Sequence, residues 1–391
     1  MEFKRILADD VQDFIQKNLD ANHSELALKK NPFPTIDYPE LINQIIAKKK
    51  AKDKLPTWFS NKKIIYPAKI SIEQTSSEIT AKYKASLING EKLIDLTGGF
   101  GIDDYFFSQK FKEVHHCEMN QDLSSIVSHN YSVLKQKNLI CLQGDSFDVL
   151  KQLDSHFDWI YIDPSRRSDA KGKVFLLKDC SPNVPELIDT YFKFSDNILI
   201  KTAPILDLTS GLNELKFVKK IHIVALKNEI KELLWEIEKG FSNDIIISSI
   251  NIDNETINQL ETVYRKEYPV TYSLAKKYLY EPNSSIMKSG NMDVVSSYYE
   301  MDKLHQHSHL FTSDELMKFQ GRRFQIDEVI PFQKEFMKSF QNKKMNCTTR
   351  NFPLSVEEIK KKHKIKDGGT IFAFFTTNLN NEKTVLICTK L

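Results

Sequence analysis

Cysteine is sparse in this chain: five in 391 residues, Cys117, Cys141, Cys180, Cys347 and Cys388, never spaced as a CxxC pair. That excludes a disulfide scaffold and a structural zinc finger, and it fits a reducing cytoplasm. No apolar run reaches the length that spans a bilayer, and the N-terminal MEFKRILADD lacks the apolar core of a signal peptide, so no membrane partner is expected. Charge of one sign is not in excess: 55 Lys and Arg against 52 Asp and Glu leave a formal +3. The molecule is no polycation, and any nucleic-acid surface has to be a local patch. Internal repeats and low-complexity tracts are absent. What is present is ordinary for a globular protein, 41% hydrophobic and 27% charged, in a chain long enough for roughly two to three domains with cores of their own.

Residues 92–103, KLIDLTGGFGID, organise the rest. An apolar run (Leu93, Ile94, Leu96) carries Asp95 and breaks into Gly98, Gly99 and Gly101, a buried strand entering a glycine-rich turn with a helix behind it. Glycines let backbone N–H groups approach a ligand without Cβ interference. Taken alone, the stretch reads equally as a cofactor loop or as a tight turn that binds nothing. Four further strands follow in alternation with helices: 113–118 ending in Glu118, 139–142 ending in Gly144-Asp145, 157–162 ending in Asp163-Pro164-Ser165-Arg166-Arg167, and 197–200 ending in Lys201-Thr202. Helices are predicted over 105–111, behind an Asn120 cap, around Phe147 to Leu150, and over 182–194. Residues 221–226 and 231–237 alternate at period two around Lys227-Asn228-Glu229, a hairpin. The class is α/β: a parallel sheet covered on both faces, with an antiparallel strand added late. Ligands bind beyond the carboxyl ends of such strands, where Asp95, Glu118, Asp145, Asp163 and Lys201 stand.

The flanks read less sharply. Residues 1–84 are helical, interrupted by NPFPTIDYP (31–39). Residues 41–70 hold eight lysines against Asp53, with Trp58 and Phe59 among them: phosphate contact with base stacking, or a solvated face with two packed aromatics. SIEQTSSEITAKYKASL (71–87) makes a helix capped by Ser76 or Ser77 that leads into the first strand and could close over its ligand. Residues 241–275 read as one more strand (245–250) and a helix. His305, His307 and His309 alternate in HQHSH, but between helical-looking runs they read as a surface loop rather than a metal site. Residues 343–366 hold eight basic residues against Glu357 and Glu358, with a helix that Ser355 can cap carrying Lys360, Lys361 and Lys362: a phosphate-tracking helix or a solvated face. The strands around Asn378–Glu382 form a closing hairpin.

DLTGGFGID resembles the first motif of the class I S-adenosylmethionine-dependent methyltransferases, with Thr97 where glycine is commonest. The resemblance places Gly99 and Gly101 under the methionine part of S-adenosyl-L-methionine, Asp95 near its amino group, Glu118 on the ribose hydroxyls and Asp145 on the adenine amine. A carboxylate suits a diol because it has two acceptor oxygens and no donor. Asp163-Pro164 matches the catalytic motif after strand four. A dinucleotide fingerprint would need glycine at position 104, where Asp104 stands, and pyrophosphate tolerates Asp95, Asp103 and Asp104 poorly. The runs EQTSSEITAKYKA, IDPSRR, IKTAPILDL, YLYEPN, GRRF and TTRNFPLSVEEIKKK extend the resemblance over nearly the whole chain, to a bacterial methyltransferase family with a C-terminal THUMP-like domain. The fold it implies is a Rossmann-like class I methyltransferase sheet (85–275) after an N-terminal helical region (1–84), then small α+β domains, ferredoxin-like (276–320) and THUMP-like (321–391). THUMP domains bind RNA in tRNA-modifying enzymes, so the resemblance implies a structured RNA substrate, tRNA or rRNA.

No metal is required, because the sulfonium supplies the driving force and the enzyme aligns and desolvates. Pyrimidine C5 methylation needs a cysteine near the end of strand four or five, and DPSRR and KTAP have none. A nitrogen is therefore the expected nucleophile, a base nitrogen first, with oxygen as the alternative. Base-amine methyltransferases carry Asp-Pro-Pro-aromatic there; here Ser165 and Arg166 replace the last two. Asp163 is expected to orient the amine, Arg166 and Arg167 to contact substrate or form an internal ion pair, and Lys201 to support cofactor or substrate phosphate. The competing expectations are a protein or small-molecule methyltransferase and a non-catalytic RNA-binding protein that retains the site.

Overall fold

The computed structural model describes residues 5–67, 72–166, 176–254 and 256–391. They form two compact units, 1–219 with 234–242, and 220–233 with 243–391.

The first unit opens with α1 (Asp9–Lys17), α2 (His23–Ala27), α3 (Tyr38–Lys54) and α4 (Pro56–Ser60). Ile6, Val11, Ile15, Leu26, Leu41 and Ile45 make their common core. The Gln44 side chain pairs with both the N–H and the carbonyl of Tyr66, and Asn130 does the same for Ile65. Those amide brackets satisfy buried backbone that has no ladder of its own. Trp58 is fully buried, edge-on to Tyr105 at 4.9 Å. It cannot stack on a base; packing on the next layer consumed the aromatic that stood among the lysines.

Next come α5 (Glu78–Leu87), capped by the Ser77 side chain, and β1 (Gly90–Asp95), α6 (Ile102–Phe107), β2 (Phe111–Glu118), α7 (Gln121–Val133), β3 (Leu139–Gln143), α8 (Ser146–Leu153) and β4 (Trp159–Ile162). The two-residue ladder of β5 (Ser165–Arg166) with β6 (Cys180–Ser181) follows, then α9 (Val184–Tyr191), β7 (Asn197–Thr202) and α10 (Leu208–Glu214). A hairpin of β8 (Val218–Leu226) and β9 (Glu229–Glu238) is shared between the units. Sheet order in the first unit is β9-β7-β4-β1-β2-β3, with β1 parallel to β2 and β4, β2 to β3, and β4 to β7. Order reverses at β1, and a crevice opens at the carboxyl ends of β1 and β4. Strand residues Leu93, Ile94, Ile160, Ile162 and Ile198 to Ile200 are fully buried, as a doubly covered parallel sheet requires.

In the second unit β10 (Ile246–Asp253) runs parallel to β8 and antiparallel to β11 (Thr256–Val263). The helix expected in 241–275 is this second strand. Leu260 and Thr262 are its buried side chains while Ile257 is exposed, so burial follows period two. The rest is β12 (Tyr278–Pro282), α11 (Ser284–Ser289), α12 (Asp293–Tyr299), β13 (Asp302–Lys303), β14 (Phe311–Ser313), β15 (Gly321–Pro331), α13 (Lys334–Met337), β16 (Lys344–Arg350), α14 (Val356–His363), β17 (Lys366–Thr377) and β18 (Lys383–Lys390). Its seven-stranded sheet runs β13-β14-β12-β15-β18-β17-β16. The closing hairpin, β17 with β18, lies inside that sheet. Among the described residues no helix is long and apolar enough to cross a membrane.

Candidate active site

A cavity of about 560 Å³ opens at the carboxyl ends of the first unit's strands. Asp95, Thr97, Gly99, Gly101, Glu118, Asp145, Asp163 and Lys201 all line it. Pro164 is buried and Arg166 sits in the β5–β6 ladder opposite Cys180; neither is in the lining, whereas Ser165 is. Arg167 lies outside the described residues. Gln74, Thr75 and Ser76, just before α5, line the cavity too, which puts that segment against the glycine loop as its position in the sequence suggested.

Glu118, Asp145 and Asp95 are held by backbone N–H groups and Asp163 by Lys201, and each keeps acceptor capacity. Glu118 accepts the Gly99 N–H on Oε2 (3.1 Å) and the Asn120 N–H on Oε1 (2.7 Å), so both oxygens retain a lone pair. Asp145 caps α8 through Oδ1, which accepts from Phe147 and Asp148, leaving Oδ2. Asp95 takes both the N–H and the hydroxyl of Thr97 on one oxygen. The Thr97 hydroxyl also accepts the Asp163 N–H at 2.7 Å, tying the end of β1 to the turn after β4. A glycine could not do that, and this is the structural reason for threonine in the loop. Lys201 Nζ pairs with Asp163 Oδ2 at 2.5 Å. Gly101 has φ +74°, and a Cβ there would lie 2.0 Å from the Tyr131 hydroxyl, which donates to the Gly101 carbonyl. Any side chain would be doubly excluded.

Residues 278–319 match the family described as a ferredoxin-like domain, and residues 321–390 the family described as THUMP domain-like. The crystal structure of a candidate methyltransferase from Porphyromonas gingivalis W83 superposes with a TM-score of 0.87 at 30% identity, over 100% of this chain and 99% of that one. The chain belongs to this family of methyltransferases with a C-terminal THUMP-like domain. An uncharacterised RNA methyltransferase of Mycoplasma mobile is 26% identical over 143 residues, 34% of this chain. The match spans 39% of that curated relative's length.

Behind the loop the methyltransferase holds a polar network that sequence reasoning missed. Lys84 of α5 is fully buried and pairs with Asp103 at 3.3 Å. Asp103 also accepts from Ser76 (2.9 Å) and Tyr161 (2.8 Å). Burial pushes the Asp103 carboxyl up, but Lys84, then Lys201 and the two hydroxyls, outweigh it and hold it below the usual carboxylate range. The signal was present: Ala81, Lys84 and Ala85 share one helical face, and a lysine between alanines on a buried face needs a partner. Asp104, by contrast, does not face the cavity. It is fully buried with Oδ2 2.6 Å from His116 Nδ1, so only Asp95 and Asp103 of the three loop acids line the cavity. Burial pushes Asp95 and Asp104 well up and His116 down; repulsion from Asp104 adds to the rise of Asp95, and repulsion from Asp103 to that of Asp104. A Cβ on Gly98 would lie 2.2 Å from the His116 ring, so Gly98 makes room for this pair.

Proposed function

We propose that this methyltransferase uses S-adenosyl-L-methionine and methylates a base nitrogen in structured RNA, tRNA or rRNA. The observation that carries the reading is the set of strand-end acids around one cavity, each with acceptor capacity left over beside a glycine turn. The donor set fits the cofactor. Glu118 can accept two ribose hydroxyls and Asp145 Oδ2 an exocyclic amine. Asp95 and Asp103 make an anionic wall for an ammonium group, and a cation beside Asp95 would draw that raised carboxyl back toward ionisation. A cavity of about 560 Å³ is in the range of small-molecule sites. When bound, the cofactor supplies an electrophilic methyl group on sulfur, and S-adenosylhomocysteine leaves.

The chain's own residues then orient and deprotonate. Lys201 holds Asp163 Oδ2, which leaves Oδ1 to accept the N–H of the target amine and to aim its lone pair into the cavity. The Thr97 hydroxyl fixes the Asp163 backbone in that position. A nucleophilic thiolate is not offered: Cys117 is the cysteine in the lining, on β2, and burial, followed by Asp95 and Asp104, pushes its thiol up. The THUMP-like match and the relative named as an RNA methyltransferase support RNA as the acceptor.

The test uses radiolabelled S-adenosylmethionine and total RNA from cells lacking this gene, with and without ribonuclease. The expected result is ribonuclease-sensitive label, reduced on the order of 100-fold or more in Asp163→Ala with cofactor binding retained. A normal rate in that variant overturns the role of Asp163. Label that survives ribonuclease moves the acceptor to protein or a small molecule. Cofactor binding with no turnover on any RNA leaves a non-catalytic RNA binder.

A further inference from the structure

Three stretches that the cavity does not use, HQHSH, GRRF and TTRNF, meet in the second unit around Glu281, the buried acid near the end of β12. Arg322 Nε donates to Glu281 Oε2 at 2.5 Å, and Arg350 Nη2 donates to Oε1 at 2.7 Å. One carboxylate thus pins two guanidinium groups from β15 and β16. Their side chains are 35% and 33% exposed, while that of Glu281 is 5% exposed. The Arg322 guanidinium also lies over the Phe324 and Phe374 rings, at 5.5 and 5.9 Å. Arg350 Nε has no hydrogen-bond partner among the described residues.

The corner that carries Arg350 is built with the same care. Asn351 donates to His305 Nδ1 at 2.9 Å, and that nitrogen also accepts the His307 N–H. His305 Nε2 faces Asn381 Oδ1 at 3.1 Å. Both ring nitrogens of His305 are used, so its alternation with His307 and His309 serves the fold and not a metal. The Thr377 hydroxyl donates to the Asn351 carbonyl, and Lys383 Nζ donates to that same hydroxyl at 2.6 Å. Two arginines therefore share one carboxylate. Neutralising Glu281 needs one arginine; the second guanidinium is surplus positive charge. The arginines' orientation is already fixed, so binding an anion there costs little side-chain entropy.

We propose that Arg322 and Arg350, pinned by Glu281, form a phosphate-binding site that takes the phosphodiester backbone of the RNA substrate. Partly exposed guanidinium groups with fixed planes match phosphate oxygens better than flexible lysines do. The inference rests on the RNA reading above, and deepens it by naming where the C-terminal unit grips.

The test measures fluorescence anisotropy of a labelled RNA stem-loop from the methylated RNA on the full chain, over a salt series. Removing one arginine alone would leave Glu281 poorly paired. The main variant is therefore Glu281→Gln/Arg322→Gln/Arg350→Gln, which keeps polar groups without the charges. Affinity should fall at least tenfold at about 0.1 M salt, and the slope of log affinity against log salt should drop by about 0.7 to 0.9 for each phosphate that the variant no longer neutralises. Arg322→Lys/Arg350→Lys, a milder change that keeps the charge, should retain the slope while losing affinity. With saturating RNA, kcat should hold while KM rises. Unchanged affinity and slope in a triple variant with native circular dichroism overturn this inference alone, provided the wild type methylates RNA. A wild type that neither binds nor methylates RNA overturns both.

Discussion

Lys84 carries a charge to a place without water to hydrate it, so Asp103 has to stay ionised beside it. Lys84→Met should destabilise the chain by roughly 3 kcal/mol near pH 7, because it leaves a buried carboxylate short of its main partner. The pH dependence has a definite sign. The Asp103 pKa is depressed in the folded state, so its contribution is fully present above the unfolded value, about 3.9, and is lost as pH falls through the folded value. The gap between wild type and Lys84→Met should close below about pH 4, and urea unfolding between pH 3 and 7 measures it. A constant gap across that range would show that the pair contributes nothing electrostatic. At this scale the strand-end acids were legible, since a carboxylate after an apolar run has few roles. The direction of Asp104 was not: adjacent acids at a helix start differ by about 100° in azimuth, and only the packing of β2 decides which one meets His116.

Among the elements, α14 is the one whose stability can be dissected. Eight residues are too few for an independent helix, so it depends on its ends and its anchor. Ser355 and Glu358 form a reciprocal capping box, and Ile359 is its one buried residue. Ser355→Ala should cost about 1 kcal/mol, and Ile359→Ala about 2 to 5 kcal/mol, since it opens a cavity in the core of Met337, Phe340, Met345 and Phe375. Amide hydrogen exchange over Val356–His363 reads both; protection unchanged in Ser355→Ala would sink the capping argument. Lys360 pairs with Asp367 at 2.6 Å, which takes one lysine of this helix out of a free basic row. The βα alternation, the Asn120 and Ser77 caps and the closing hairpin were readable because caps and periodicity act within a few residues. The strand β11 was not. Ile257, Leu260 and Val263 repeat at a spacing of three, which suits a helix, and only pairing with β10, Ser249 opposite Leu260, makes it extended.

For the whole molecule, ligand linkage separates the units. S-adenosylhomocysteine at a hundred times its Kd should stabilise the unit that holds the cavity by about 2.7 kcal/mol. Thermal unfolding with and without it should show the shift, and Glu118→Ala/Asp145→Ala should abolish it. If the units melt separately, the transition of the second unit stays in place. No shift with the wild type would count against the cofactor assignment whatever the acceptor. The sequence by itself determined the α/β class, the alternation of the five parallel strands with their helices, and which side chains end those strands. These follow from local periodicity, glycine and capping, all settled over short separations. Tertiary structure alone decided that Thr97 bridges Asp95 and Asp163, that Lys84 reaches Asp103, and that Glu281, Arg322 and Arg350 meet. Apart from Thr97 with Asp95, such contacts join residues 19 to 69 positions apart, and their geometry is set by which strands pair and which faces they bury.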